Sequence, residues 1–265
     1  MKRFYSIILL ACITFFCHAE NPDKNSFHLF LLMGQSNMAG YGDILPEDKL
    51  PIKGVLMLRD TVKEGEKFSW VEAKQPIHAR LSSDRYCLAG PFAQAYHTMF
   101  PESTVGLIPM GWGGAAITQM EKGSAFYKEV IKKALWAKQQ GQLKAILWHQ
   151  GESDTVTPEA AELYAQRLEK LIHDLRTDLG EPDLPVVIGD LAEFYGTGKD
   201  HSDPDRVKRI NKVRNTLKEI SQKVSHTSFV PTTGLHSHDH HQVHFDRDSY
   251  IRLGYRYFDA YLNVE

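Results

Sequence analysis

The hydrophobic positions of the chain form short, nearly continuous apolar runs separated by longer amphipathic segments. The clearest run covers residues 27–33 and ends at Gly34. Similar runs occur at 54–58, 104–109, 145–148 and 185–191. Runs of this kind are typical of parallel strands that are buried on both faces of a sheet. They therefore predict the strands of a mostly parallel sheet.

The segments between these runs have the spacing of amphipathic helices, at 91–100, 125–140, 158–179, 204–224 and 248–262. The clearest signals surround 158–179, where Thr157 can cap the helix, Pro158 occupies its first position and Gly180 ends it. Alternating strands and helices predict an α/β fold with helices on both sides of the sheet. Residues 41–85 are less regular, and we expect long loops there with a short hairpin at 55–72.

The N-terminus has the pattern of a secretory signal. A positive start, Lys2-Arg3, is followed by an apolar run over 4–17 and by small residues that predict cleavage after Ala19. The run is shorter than the roughly 20 residues that a membrane-spanning helix needs, so no span is expected. We therefore expect a signal peptide at 1–19, a single domain at 20–265, and a secreted or periplasmic protein. Cys12 closes a sequence similar to a bacterial lipobox, and a lipid anchor there is the alternative.

Composition and charge narrow the class of protein. The chain has 265 residues, of which 42% are hydrophobic, and it carries 31 Lys+Arg against 33 Asp+Glu. These are values of an ordinary globular protein. The near-neutral balance argues against a dedicated nucleic-acid-binding protein, which would show a basic excess.

Ser36 lies directly after the strongest predicted strand, where open α/β sheets place their functional residues. A serine there can point its hydroxyl into the crevice, beside helix N–H groups that can hold an oxyanion. The alternative is that Ser36 and Asn37 merely cap a helix. Gly113 follows another predicted strand, and its N–H is a candidate oxyanion donor or simply part of a tight turn.

Two further segments carry dense polar chemistry. Residues 148–154 place donors, acceptors and the carboxylate of Glu152 after a buried strand, where they are costly unless paired. Residues 236–244 hold five of the thirteen histidines, which suits either a metal site or one catalytic base among surface histidines. A second Cys/His cluster and a helical His-Glu-x-x-His pattern are absent from the sequence, so we expect no metal and no other cofactor.

A serine, an acid and a histidine on three strand-end loops are what nucleophilic acyl transfer requires. The base takes the proton of the serine, and the acid orients the base and stabilises the imidazolium that forms. The order here is Ser36, Glu152, His244. The serine does not lie in Gly-x-Ser-x-Gly, so the α/β-hydrolase elbow is absent.

These segments together resemble the SGNH (GDSL-like) hydrolase superfamily, and more narrowly its carbohydrate acetylesterase branch, which includes sialate O-acetylesterases and acetylxylan esterases. The matching segments are 34–38 (Gly-Gln-Ser-Asn-Met), 111–114 (Gly-Trp-Gly-Gly), 150–154 (Gln-Gly-Glu-Ser-Asp) and 243–245 (Val-His-Phe). The resemblance implies a three-layer α/β/α sandwich with a flavodoxin-like, mostly parallel five-stranded sheet. It also implies an acetylated carbohydrate as substrate.

The resemblance also implies roles for single residues. Ser36 would be the nucleophile and His244 the base, and the N–H groups of Ser36 and Gly113 would form the oxyanion hole with the side chain of Gln150. The superfamily usually has an Asp three residues before the histidine, where this chain has His241.

Glu152 is therefore the expected orienting acid. Asp239 is the alternative acid, and a Ser–His pair without an acid is the third possibility.

Two readings from other classes stay open. One alternative to a serine esterase is a non-catalytic carbohydrate-binding protein on the same fold, which the missing Asp at position 241 favours. The other is a metal-dependent hydrolase that uses the histidines of 236–244. Trp112 and Trp148 are candidates for a sugar-facing groove, and burial in the core is the alternative for both.

Overall fold

A computed structural model describes residues 22–60, 67–78, 85–199, 202–238 and 240–264. The predicted signal peptide at 1–19, with Cys12, lies outside the described residues, and so does the alternative acid Asp239.

Seven strands within the described residues form one sheet in the order β3-β2-β4-β1-β5-β6-β7. The strands are β1 (Phe27–Gly34), β2 (Val55–Asp60), β3 (Phe68–Glu72), β4 (Thr104–Gly111), β5 (Gln142–His149), β6 (Val186–Gly189) and β7 (Thr227–Val230). All neighbouring strands are parallel except β2 and β3, which form an antiparallel hairpin.

The α/β class and the mostly parallel sheet are confirmed, but the expected number of five strands is wrong. β3 completes the hairpin expected at 55–72. β7 has only four residues and lies at the sheet edge. Its central residues are only half buried, and this accounts for the absence of an apolar run that would have predicted it.

Six α-helices lie in the same described ranges: α1 (Ser36–Ala39), α2 (Ala89–Met99), α3 (Ala125–Lys138), α4 (Pro158–Leu179), α5 (Pro204–Lys223) and α6 (Arg247–Leu262). Single 3-10 turns lie at Pro46–Lys49, Ile117–Gln119 and Glu152–Thr155. α2 packs on α6, while α4 packs on both α3 and α5. These two groups of helices and the sheet between them form the expected three layers. None of the described helices combines the length and the apolar character that crossing a membrane requires.

The longest helix, α4, follows directly from local sequence signals. The Thr157 hydroxyl accepts a 3.2 Å hydrogen bond from the N–H of Ala160, and Pro158 begins the helix. Gly180 adopts the left-handed conformation (φ 65°) that ends it. Its buried face carries the apolar stripe Leu168, Leu171, Ile172, Leu175 and Leu179. Burying this stripe against the sheet and its neighbours holds the helix in place.

β1 lies in the centre of the sheet, between β4 and β5, and all but one of its residues are buried. Its last residue, Gly34, pairs in register with Gly111 of β4 and His149 of β5. The three strands therefore end together, and the loops that follow them meet at one edge of the sheet.

Candidate active site

The turn after β1 presents Ser36 at this edge. Gly34 adopts a φ of 153°, and a Cβ there would lie 2.1 Å from the carbonyl oxygen of His149. A glycine is therefore needed where β1 and β5 approach each other. The N–H of Gln35 donates to the same carbonyl at 3.0 Å. Ser36 then begins α1, so its own N–H has no acceptor within that helix.

His244 reaches this serine from a loop 208 positions along the chain. Its Nε2 lies 3.1 Å from the Oγ of Ser36. Tyr41 stacks face to face on the imidazole, with ring centres 3.7 Å apart and planes within 8°. The guanidinium of Arg85 lies 4.1 Å from the centre of the Tyr41 ring. The stacking fixes the plane of the imidazole, so that Nε2 faces the serine hydroxyl.

Glu152 lies nearby but does not hydrogen-bond the imidazole. Its Oε1 accepts a 2.6 Å hydrogen bond from the side-chain amide of Asn37, and its Oε2 is buried with no partner among the described residues. Burial raises the pKa of the Glu152 carboxyl to about 7, against a smaller opposing effect of the Asn37 hydrogen bond. The Glu152 carboxylate is held by Asn37 rather than by the imidazole, so its role as the orienting acid stays a prediction.

Asn37 connects Glu152 to the histidine loop, a link that motif reasoning missed. Its Nδ2 also donates to the carbonyl of Val243 at 3.0 Å, and its Oδ1 accepts from the hydroxyl of Tyr250 at 2.9 Å. The side chain is fully buried. Asn37 thus fixes the backbone immediately before His244. The signal available in the sequence was the position of Asn37 next to Ser36 in the segment 34–38, for which helix capping was the one role considered.

Gln150, predicted to take part in the oxyanion hole, has its amide surrounded by protein acceptors in the structure. Its Nε2 lies 2.6 Å from Asp154 Oδ2, 3.1 Å from the carbonyl of Ala115 and 3.2 Å from Gln35 Oε1. Its Oε1 accepts from the Tyr164 hydroxyl at 3.0 Å, and the residue has no exposed surface. An amide nitrogen has two hydrogens, and protein acceptors already surround them.

Asp154 and Gln35 complete this buried network. Asp154 Oδ2 accepts a 2.9 Å hydrogen bond from the N–H of Ile117, in the turn after β4. Burial raises the pKa of Asp154, and its hydrogen bonds from Gln150 and Ile117 oppose that shift. Gln35 Oε1 lies 3.4 Å from the N–H of Gly151. The segment after β5 therefore joins the loops that follow β1 and β4.

The loop after β4 brings Gly113 and Trp112 to the same edge. The N–H of Trp112 donates to the carbonyl of Gly34 at 2.8 Å, which places Gly113 next in the chain at the crevice. The two tryptophans differ, because Trp148 is buried in the core while the Trp112 side chain is 43% exposed. Trp112 stacks on Phe126 with ring centres 5.6 Å apart.

The histidine-rich loop has one residue, Asp239, outside the described part of the chain. In the ranges that are described, no three His, Cys, Asp or Glu side chains are grouped so as to hold a metal ion.

Comparison with known proteins identifies the family. The profile described as "SASA: Carbohydrate esterase, sialic acid-specific acetylesterase" matches residues 26–263. A probable carbohydrate esterase of Arabidopsis thaliana is 31% identical over 255 residues, which cover 89% of this chain and 90% of that protein.

Solved structures agree. An Arabidopsis thaliana protein superposes with a TM-score of 0.74 at 30% identity, covering 92% of this chain and all of the other. NanS superposes with a TM-score of 0.69 at 14% identity, covering 91% of this chain and 98% of the other. A catalytic mutant of Axe2, an acetylxylan esterase from Geobacillus stearothermophilus, superposes with a TM-score of 0.54 at 12% identity, covering 93% of this chain and 98% of the other.

The last two likenesses concern the fold alone, and they agree with the arrangement of sheet and helices described above. With the family profile spanning nearly all of the described residues, the chain belongs to the sialic acid-specific acetylesterase family of carbohydrate esterases and is a carboxylic ester hydrolase.

Proposed function

We propose that the protein is a secreted serine esterase that removes O-acetyl groups from carbohydrates through an acetyl-enzyme on Ser36. The observation that carries the proposal is the 3.1 Å contact between Ser36 Oγ and His244 Nε2. A serine hydroxyl is a weak nucleophile until a base accepts its proton, and this contact supplies the base within hydrogen-bond reach.

The reaction then follows in two balanced steps. Ser36 Oγ attacks the acetyl carbonyl while His244 takes the hydroxyl proton, and the imidazolium returns that proton to the sugar oxygen as it leaves. A water molecule then attacks the acetyl-serine, giving its proton to His244. The imidazolium returns this proton to Ser36 Oγ as the bond between that oxygen and the acetyl carbon breaks, which releases acetate and restores the free serine.

The oxyanion of each tetrahedral intermediate needs hydrogen-bond donors. The N–H of Ser36 has no acceptor within its own helix, and the N–H of Gly113 lies on the neighbouring loop. We assign the hole to these two groups and leave Gln150 out of it, because its amide is directed into the protein. Loss of one such donor typically costs roughly 10²–10³ in rate.

Three groups among the described residues support the base. Tyr41 fixes the imidazole plane by stacking. Glu152 acts through Asn37, whose amide bonds the carbonyl of Val243 just before His244. Glu152 is therefore a positioning residue in this scheme, and Asp239 stays the alternative acid.

Export rests on the sequence pattern of 1–19. Export suits an enzyme whose glycan substrates lie outside the cytoplasm. The N-terminus of the mature protein tests it: Glu20 is expected, and a lipid-modified Cys12 would show the alternative.

Acetate release from acetylated xylo-oligosaccharides and from acetylated sialic acid tests the activity. We expect release by the natural protein and by Ser202→Ala, and none above background by Ser36→Ala. A chelator should leave the activity unchanged. Activity that survives Ser36→Ala, or that a chelator abolishes, would contradict the mechanism. Glycan binding without any release of acetate would indicate the non-catalytic alternative.

A further inference from the structure

We propose that a cavity beside Gly113 is the subsite for the sugar ring of an uncharged acetylated glycan. We call it the Trp112 cavity, after the exposed aromatic residue in its wall. The inference rests on the proposed function, because it assigns the place where the leaving alcohol binds.

The Trp112 cavity has the size and the position of a substrate subsite. Its volume is about 700 Å³, and it lies between the ends of β2 and β4 and one face of α3 from Ala125 to Lys133. Small-molecule sites typically enclose roughly 300–1,000 Å³. Gly113 belongs to its wall and is also the proposed oxyanion donor. A sugar in the cavity would therefore adjoin the place where its acetyl group reacts.

One wall is a supported aromatic face. Trp112 is 43% exposed, and Phe126 stacks behind it at an interplanar angle of 25°. A pyranose ring has a face made largely of C–H bonds, and packing it on the indole would remove apolar surface from water. Because a second ring supports the indole, little side-chain freedom is lost when a ligand binds.

A second wall contains the buried imidazole of His78. His78 is 4% exposed, and its ring nitrogens make no hydrogen bond of normal geometry with a described residue, although the backbone of Leu32 lies near enough to raise its pKa slightly. Burial lowers the pKa of His78 to about 3, so the imidazole is neutral at pH 7. A neutral imidazole offers one donor and one acceptor, which matches a sugar hydroxyl.

The charges of the wall cancel. Lys133 lies 3.0 Å from Asp60 and 3.9 Å from Glu129, and its own side chain is almost fully buried. Arg59 donates to the carbonyls of Pro76 and Ile77. With two cations, two carboxylates and a neutral histidine, the described wall favours hydroxyl groups over a net charge.

The test compares two esters that share the acetyl group but differ in the alcohol. Acetylated xylo-oligosaccharides can fill the cavity, whereas methyl acetate is too small. We expect Trp112→Ala to lower the ratio of kcat/KM for the glycan to kcat/KM for methyl acetate by about tenfold. Trp112→Phe should restore most of that ratio. Tyr255→Ala, which removes another exposed aromatic side chain, is the matched control.

The outcomes separate this inference from the proposed function. If the natural protein hydrolyses neither ester, the proposed function fails. If it hydrolyses both and Trp112→Ala leaves the ratio unchanged, only the subsite is wrong. Acetylated sialic acid supplies the charge test: the uncharged class would be overturned if this anionic sugar were the better substrate and lost its advantage in Trp112→Ala.

Discussion

The segment after β1 and the segment after β5 lie side by side at the same sheet edge, yet they use their polar side chains differently. Ser36 turns its hydroxyl to the imidazole of His244, a group that can accept a proton. Gln150 turns its amide to Asp154 and to a backbone carbonyl, which satisfy it without offering any reaction. In these two segments the side chains of Ser36, Gln150 and Asp154 are all buried.

Burial and polarity therefore do not separate a reactive group from a structural one at this edge. What separates them is the partner: a titratable base for Ser36, and fixed acceptors for Gln150. A buried polar network of the second kind stabilises the loops around the site, because leaving any member unpaired is costly. The difference can be tested by asking whether each segment controls rate or stability.

The largest effect is expected from His244→Ala. Removing the base should lower kcat by roughly 10⁴-fold, with the fold intact. His240→Ala, in the same loop, is the matched control and should change kcat by less than about twofold. Steady-state acetate release measures both variants. Comparable losses in the two would point to a shared histidine site and contradict a single base.

Asn37→Ala should lower kcat by about 10²-fold. The Val243 carbonyl, just before His244, would lose the hydrogen bond from Asn37, and a displacement of a catalytic group by about 1 Å has effects of this size. We expect KM to change little, since Asn37 is buried away from the substrate. Asn215→Ala, an exposed asparagine on α5, serves as the control. Kinetics well below the melting temperature separate the loss of rate from any loss of stability. A rise in KM with unchanged kcat would argue against the positioning role.

Gln150→Leu should act on stability. The change leaves the buried carboxylate of Asp154 without its shortest hydrogen bond, so the free energy of unfolding should fall by about 2–3 kcal/mol. The kcat of the folded variant should stay within about fivefold of the natural value. Denaturant unfolding and kinetics together decide the point. Unchanged stability with a rate loss of roughly 10²–10³ would restore Gln150 to the oxyanion hole.

Glu152→Gln should lower kcat by about tenfold, since the amide keeps the shape but weakens the hold on Asn37. Asp239→Asn should have a smaller effect. Both variants keep their size and differ in charge alone, so each serves as the control for the other. If Asp239→Asn proves the more damaging of the two, the assignment of Glu152 as the supporting acid is wrong.

The smallest effect concerns pH. The pKa of Glu152 is raised from 4.5 to about 7 by burial, so the unfolded chain loses this proton at lower pH than the folded protein does. The contribution of Glu152 to stability should therefore fall between pH 4.5 and 7 and stay constant above.

The matching variant is Glu152→Gln, which cannot ionise. It should be more stable than the natural protein at pH 8, by about 1 kcal/mol. This gain in stability is limited, because the new amide group has no hydrogen-bond acceptor at the place where Oε2 lies. Thermal melting of both proteins at pH 4 and pH 8 measures this difference in stability. An equal difference at the two pH values would contradict the raised pKa of Glu152.

Much of the fold could be predicted because its signals are local. The cap at Thr157, the apolar stripe and Gly180 define α4 without reference to the rest of the chain. β7 escaped prediction because a four-residue edge strand needs only partial burial. Its place depends on pairing with β6, a contact that no pattern along the sequence contains.

For the site, the sequence indicated the positions of the polar groups but not their directions. Ser36 and His244 were chosen by motif, and the structure brings their reactive atoms to 3.1 Å. Gln150 was assigned to the oxyanion hole by the resemblance, and the sequence could not show its three acceptors because they lie in separate segments of the chain. The link from Asn37 to Glu152 could not be predicted for the same reason, because the two residues lie 115 positions apart.

The most direct measurement is covalent trapping of the nucleophile. The protein should be incubated with a serine-directed organophosphonate, digested and mapped by mass spectrometry. We expect one adduct, on Ser36, with loss of acetate release in proportion to labelling and no labelling of His244→Ala. Complete inactivation with the adduct on another residue, or full labelling of Ser36 without loss of activity, would contradict it.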